Sequence, residues 1–136
     1  MNDTISIVLF SGTEDKLEAA AVLAAGAAAM ERDVNVFLQY WALDAFRAGG
    51  LDKDRGVVAE AGAEGAAIMR RAQERTGQRW FHVMEQAKSL GGVSITACAL
   101  SMDHFGLTKE DLDPMVDGVE GVASFMATAT GAVVFI

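Results

Sequence analysis

The sequence predicts an α/β fold: a doubly wound, mostly parallel five-stranded sheet flanked by helices. Three observations predict it. Short apolar runs rich in β-branched residues recur along the chain, the pattern of strands covered on both faces. Helical stretches separate these runs, which implies right-handed crossovers between parallel strands. The chain has 136 residues and is 51% hydrophobic, enough to bury one core, so residues 1–136 read as a single domain.

The elements follow in order. Ile5-Ser6-Ile7-Val8-Leu9-Phe10 is a near-continuous apolar run and the first strand. Ser11-Gly12-Thr13 turns the chain, with Thr13 a good N-cap and Glu14 and Asp15 suited to the positive first turn of a helix. Lys16 at the third helical position rules out a capping box. Leu17, Ala20, Ala21, Leu23, Ala24 and Ala27 carry this helix to about Arg32, and their small size lets it lie close to a sheet.

Val34 to Gln39 is the second strand. Tyr40 to Phe46 turns into a short helix before Gly49-Gly50. Gly56 to Gly65 reads as loop or weak helix, Ala66 to Arg75 as helix, and Trp80 to Leu90 as a stronger helix ended by Gly91-Gly92. Val93 to Ala97 is the third strand, Cys98 follows it, and Ala99 to Phe105 is a short helix closed by Gly106. Thr108 caps a turn through Lys109, Glu110 and Asp111. Pro114 to Asp117 is expected as the fourth strand, with Pro114 at its start, where a missing N–H is tolerated. Gly118 to Thr130 is expected as a helix and Ala132 to Ile136 as a buried terminal strand.

Composition narrows the function classes. The formal net charge of −8 argues against a nucleic-acid binder that relies on phosphate contacts. The charge is uneven. Residues 1–46 and 80–136 are each net −5, whereas residues 47–79 hold seven basic and five acidic groups, net +2. Arg71, Arg75 and Arg79 recur at helical spacing, either as a solvated face or as a stripe for an acidic partner. The apolar runs are too short or interrupted for a membrane span of roughly 20 residues, and no secretory signal pattern is visible. A single cysteine excludes an internal disulfide framework and a zinc cluster built on several thiolates. The expected compartment is the reducing cytoplasm.

Cys98 is the candidate reactive centre. It stands where a parallel strand ends and a helix begins, and open α/β sheets bind ligands outside the carboxyl ends of their strands. A helix N-terminus also favours a thiolate. The alternative reading is a small buried hydrophobe, because free cysteine is among the most buried residue types.

Other candidates surround it in the expected topology. Ser11, Gly12 and Thr13 lie at the same carboxyl edge and can line a pocket. They lack the glycine spacing of a dinucleotide fingerprint and the Gly-Lys-Ser/Thr ending of a P-loop. Tyr40 and Trp41 are placed either to wall an apolar pocket around the thiol or to pack into an oligomer interface. His104 lies six residues beyond Cys98, about 9 Å along a straight helix, too far for a direct Cys–His pair of the papain type. His82 reads as a satisfied packing residue. Two histidines without clustered cysteines give no transition-metal site. The run Glu110, Asp111, Asp113, Asp117, Glu120 lacks calcium-loop spacing and reads as a solvated acidic edge. No cofactor is indicated.

Four segments carry a resemblance. Phe10-Ser11-Gly12-Thr13-Glu14-Asp15-Lys16, Phe37 to Leu43, Ala97-Cys98-Ala99-Leu100-Ser101-Met102-Asp103 and Asp117-Gly118-Val119-Glu120-Gly121-Val122-Ala123 occur in the order seen in DsrE/DsrF-like proteins. The sequence resembles most the branch with an extended insertion after the second strand, over nearly the whole chain. The Cys-x-x-Ser-Met-Asp segment is the most specific part.

The resemblance implies a small α/β fold, homo- or hetero-oligomers, and one cysteine that carries sulfane sulfur as a persulfide, here Cys98. It implies a sulfur carrier or sulfurtransferase fed by a rhodanese-type donor and passing sulfur to a TusA-like carrier protein. Some relatives in this branch have an apolar, membrane-associating insertion; residues 47–79 are charged instead, so no membrane attachment is expected. With no second cysteine to resolve a persulfide, bound sulfur must leave to another protein, which suits a relay. Two alternatives stand beside this reading. One is a non-catalytic binding or assembly subunit with an inert buried cysteine; the other is a small nucleotide- or flavin-binding protein using the turns at Ser11 and Tyr40.

Overall fold

The computed structural model describes residues 4–136. Among these residues, five strands form one sheet: β1 (Ile5–Leu9), β2 (Val34–Leu38), β3 (Val93–Cys98), β4 (Gly118–Glu120) and β5 (Ala132–Phe135). Their order is β4-β3-β2-β1-β5, and every pairing is parallel. The chain steps outward from β1 to β4 and then returns to the other side of β1. Six α-helices accompany the strands: α1 (Glu14–Ala29), α2 (Tyr40–Ala45), α3 (Gly62–Thr76), α4 (Trp80–Ser89), α5 (Ala99–Phe105) and α6 (Val122–Thr128).

Side-chain alternation assigns two unequal faces. Register pairs Ile5, Ile7 and Leu9 with Val34, Val36 and Leu38, and these in turn with Val93, Ile95 and Ala97. This face packs against Leu17, Ala20, Ala21 and Ala24 of α1 and Trp80, Met84 and Ala87 of α4, forming the main core. Alanines let α1 approach closely, so the helix buries a long stripe without bulky side chains. The opposite face carries Val8, Phe37 and Cys98, covered by Phe125 of α6 with Ala129 beside it. One seven-residue helix therefore does on this face what α1 and α4 do on the other. At its margin, Val133 and Phe135 stay exposed, so the terminal strand β5 is not the buried strand expected: it lies at the sheet edge, beyond the cover of α6.

The basic segment docks through one buried carboxylate. Glu14, 4% exposed, accepts hydrogen bonds on Oε1 from Gln73 Nε2 (2.8 Å) and Arg79 Nε (2.9 Å). The Arg79 guanidinium also donates to the carbonyls of Asp52 (2.6 Å) and Lys53 (2.9 Å). None of the α3 residues is buried, so polar contacts fix the segment to α1: this clamp, the Glu14 N–H donating to the Gly56 carbonyl (2.8 Å), and the Val58 N–H donating to Asp15 Oδ2 (3.3 Å).

Three further expectations are corrected. The arginine stripe does not form, because Gly77 adopts a left-handed conformation (φ 69°) and ends α3; Arg71 and Arg75 stay exposed while Arg79 turns inward to Glu14. Residues 114–117 are not a strand. Asp113 Oδ1 accepts the Met115 N–H (2.9 Å) across Pro114, a tight turn that holds the chain out of the sheet until Gly118. The Asp117 carboxylate then accepts the Ile95 N–H (2.8 Å) and Lys88 Nζ (2.6 Å), standing in for a strand partner. The last helix is consequently shorter than expected, Val122–Thr128 rather than Gly118 to Thr130. In the other direction, α3 begins at Gly62, where the sequence left loop and weak helix undecided.

Candidate functional site

Cys98 is the last residue of β3 and the N-cap of α5, at the carboxyl edge of the sheet. Its side chain lies on the thinly covered face, because residues of even number in β3 point there together with Phe37. The residue is 1% exposed. Phe37 and Phe125 stack beside it with ring centroids 4.4 Å apart and planes 14° apart. The sulfur makes no capping hydrogen bond to α5.

The cover over the sulfur is slight. Of the seven α6 residues only Phe125 is buried; Val122, Ala123, Ser124, Met126, Ala127 and Thr128 are exposed. Phe125 is thus the one α6 side chain buried against Phe37 and Cys98, with Ala129 beside it.

Two polar residues neighbour Cys98, one by sheet register and one by helix position. Glu120 of β4 is its register partner, so its side chain leaves the sheet on the same face. Thr96 Oγ1 donates to Glu120 Oε1 (3.1 Å), and Ser124 Oγ of α6 to Oε2 (3.4 Å). Ser101, in the first turn of α5, is 0% exposed and its hydroxyl has no hydrogen-bond partner.

The remaining expected site residues fall into two groups. Ser11, Gly12, Thr13 and Trp41 come together around an open cleft of about 380 Å³, with Asp44, Lys53, Asp54 and Arg55 on the other side. Gly12 is required there: a Cβ at this position would stand 2.5 Å from the Trp41 carbonyl oxygen. Arg55 is held in place by Asp44 Oδ2 (3.1 Å) and by the carbonyls of Asp44 (3.2 Å) and Gly50 (3.3 Å).

Tyr40 does not face this cleft or the thiol. Its backbone is left-handed (φ 40°), and its hydroxyl is 3.0 Å from His104 Nδ1, with the two rings stacked at 5.6 Å. Phe10 and Phe105 complete this aromatic cluster. The wall of the thiol is thus Phe37 and Phe125, not Tyr40 and Trp41. His104 serves Tyr40, and His82 Nδ1 caps α4 by accepting the Arg79 N–H (2.9 Å).

The acidic run is not a bare solvated edge. Asp111 accepts the Thr108 N–H (2.8 Å) and hydroxyl (3.2 Å), which hold its carboxyl below the ordinary aspartate range. On α1, Asp15 is pushed up by burial but pulled further down by the backbone N–H groups of Val58 (3.3 Å) and Lys16 (3.1 Å), which donate to its carboxylate. Glu18 is raised, by burial first and by the Glu14 charge second. Among the described residues, no group of three or more His, Cys, Asp or Glu side chains is placed to hold a metal ion. Among them also, no helix is long and apolar enough to cross a membrane.

Sequence reasoning missed Phe125 and Glu120. Phe125 had a signal, being the one aromatic residue between Gly118 and Thr130. Glu120 had none, since its role depends on where β4 begins.

Comparison with known proteins places these features in context. A family model described as DsrE/DsrF/DrsH-like matches residues 1–77 and 67–135. The uncharacterized protein YrkE of Bacillus subtilis (strain 168) is 31% identical over 91% of this chain and 89% of its own length. Two solved structures share the fold. A protein of unknown function from Methanobacterium thermoautotrophicum, MTH1491, superposes with a TM-score of 0.54 at 14% identity, covering 99% of this chain and 100% of that one. The YchN protein of E. coli superposes with a TM-score of 0.53 at 17% identity, over 100% of both chains.

Proposed function

The chain belongs to the DsrE/DsrF/DrsH-like family, which is generally linked to sulfur relay, and from that premise we propose that Cys98 carries sulfane sulfur as a persulfide. The observation that supports this reading is the placement of the chain's single cysteine. It ends a parallel strand at the carboxyl edge of the sheet, where open α/β sheets bind ligands, beside a helix with one buried side chain.

The chemistry is a sulfur exchange without net redox change. The Cys98 thiol gives up its proton and the thiolate attacks the outer sulfur of a donor persulfide. A new S–S bond forms on Cys98, the donor's S–S bond breaks, and the electron pair leaves on the donor thiolate, which is reprotonated. The same exchange run toward an acceptor thiolate unloads Cys98. α6 opens to admit the donor and closes to keep water and stray thiols from the persulfide.

The donor in this reading is a rhodanese-type protein and the acceptor a TusA-like carrier. Arg71 and Arg75, both exposed on α3, offer positive charge to an acidic partner surface. The chain acts as a homo-oligomer whose contacts cover Val133 and Phe135 of β5, exposed by 48% and 68%, and leave α6 free to move. The cytoplasm supplies the reducing setting that a single free thiol needs.

A transfer assay tests the proposal. Purified protein loaded from a persulfidated rhodanese should pass labelled sulfur to a TusA-like acceptor, and Cys98→Ser should abolish both loading and transfer. Loading that survives the substitution would remove Cys98 from the role.

One observation favours a second reading, an assembly subunit with an inert cysteine: Cys98 is only 1% exposed. Thiol labelling of the folded protein separates the two. Labelling that proceeds in native buffer supports the carrier, and labelling that waits for denaturant supports the subunit.

A further inference from the structure

Ser101 is a fully buried hydroxyl with nothing to bond to. It is 0% exposed, and its Oγ lacks any partner, although a serine in a helix ordinarily bonds to a nearby backbone group. Leaving a buried donor unsatisfied is costly, and each such group in a folded protein calls for an explanation. Its position supplies one. Cys98 is the N-cap of α5 and Ser101 its third helical residue, three positions on, where side chains are neighbours along one side of the helix. A neutral thiol is only a weak acceptor, and no Ser101–Cys98 hydrogen bond forms in the resting protein. A persulfide changes this: it carries a second, readily ionised sulfur about 2 Å beyond Sγ.

We propose that Ser101 is the positioning residue of the loaded state, its hydroxyl donating a hydrogen bond to the sulfane sulfur on Cys98. The inference rests on the carrier reading above and adds to it the group that retains the cargo. Loading runs as before: the Cys98 thiolate attacks the outer sulfur of a persulfide or polysulfide donor, whose S–S bond breaks and whose thiolate leaves with the electron pair. The new terminal sulfur then accepts the Ser101 O–H. The orphaned hydroxyl of the empty protein is thus a partner held in reserve.

Ser101→Ala tests this, because a structural role and a cargo-holding role move its readouts in opposite directions. Wild type and variant are loaded with sodium polysulfide, freed of excess reagent, and followed by intact mass in a fixed low concentration of dithiothreitol. The expected result is a persulfide lost about ten- to a hundred-fold faster from the variant, the range of one hydrogen bond to a charged group. Labelling of the unloaded thiol should change by less than about two-fold, and thermal stability should hold or rise, since an unsatisfied group has been removed. Equal persulfide lifetimes, or a variant that unfolds more easily, would overturn the assignment while leaving Cys98 as carrier. Failure of the wild type to load at all would instead remove the carrier reading on which it rests.

Discussion

Phe125→Ala is the perturbation that most sharply probes how Cys98 is reached. Phe125 is 2% exposed and is the only buried residue of α6. Burying a phenylalanine contributes about 1.5–3 kcal/mol, and its stacking on Phe37 at 4.4 Å adds about 0.5–1.5 kcal/mol. Lifting α6 as a formed helix leaves its backbone order unchanged, so these two contributions together set its docking at about 2–4 kcal/mol. With 1.4 kcal/mol per factor of ten, α6 is lifted in roughly one molecule in thirty to one in a thousand. Removing the anchor makes docking nearly neutral. Labelling of Cys98 by a thiol reagent in native buffer should then accelerate by about 30- to 1000-fold. The main core on the α1 and α4 face is untouched, so circular dichroism should report a folded domain. A folded variant with unchanged labelling would refute α6 as the cover of the thiol. Loss of the whole fold would refute the view that this face is a thin annex.

Other perturbations follow from the same structure. Arg79→Ala leaves the buried Glu14 carboxylate with Gln73 alone; breaking a buried pair costs up to about 3–5 kcal/mol, and the 23% exposure of the Arg79 side chain brings this to about 2–3 kcal/mol in urea unfolding, with faster proteolysis between residues 47 and 79. Glu120→Gln removes the charge beside Cys98 but keeps an acceptor for Thr96. Methanethiosulfonate reagents of charge −1 and +1 should differ less in rate on the variant, by about ten-fold per unit of charge at a separation of about 6 Å and an effective permittivity of about 40; an unchanged ratio would show that the carboxylate does not act on the site. Glu18→Gln tests a group whose pKa is raised in the folded state by burial and by Glu14. Such an acid opposes folding above its folded pKa and has no effect below its unfolded one, so the variant should gain stability, by less than about 1 kcal/mol, at pH 7 and match the wild type below about pH 4; a gain at acid pH alone would contradict the sign.

Much of the fold could be read from residue patterns alone. β1, β2 and β3 announce themselves because the face each turns to α1 and α4 is apolar throughout, and α1 because alanine spacing leaves one packing stripe. The Cys98 junction was legible for the same reason: an apolar strand, a cysteine, a short helix and a closing Gly106 follow one another without ambiguity. β4 was not legible. It has three residues and its start is set by the Asp113–Pro114 turn and the Asp117 carboxylate, which are side-chain events that periodicity does not register. The arginine stripe failed because a helical spacing says nothing about whether one helix spans it, and Gly77 ends α3 before Arg79. At the site, Tyr40 and Trp41 were close to the thiol in sequence topology, but Tyr40 is taken up by His104 and Phe105 at the far end of α5 and Trp41 by Phe105 and the cleft at the Ser11–Thr13 turn. Phe37 alternates against Val36 and Leu38, so only the register of the sheet tells that it shares a face with Cys98.

The sulfur of Cys98 carries the proposed function, and intact mass spectrometry reads it directly. Native protein incubated with sodium polysulfide and freed of excess reagent should gain a single increment of about 32 mass units, reversed by dithiothreitol and absent from Cys98→Ser. Unchanged mass in the native protein, with the same increment appearing only after denaturation, would make Cys98 a packing residue and contradict the claim.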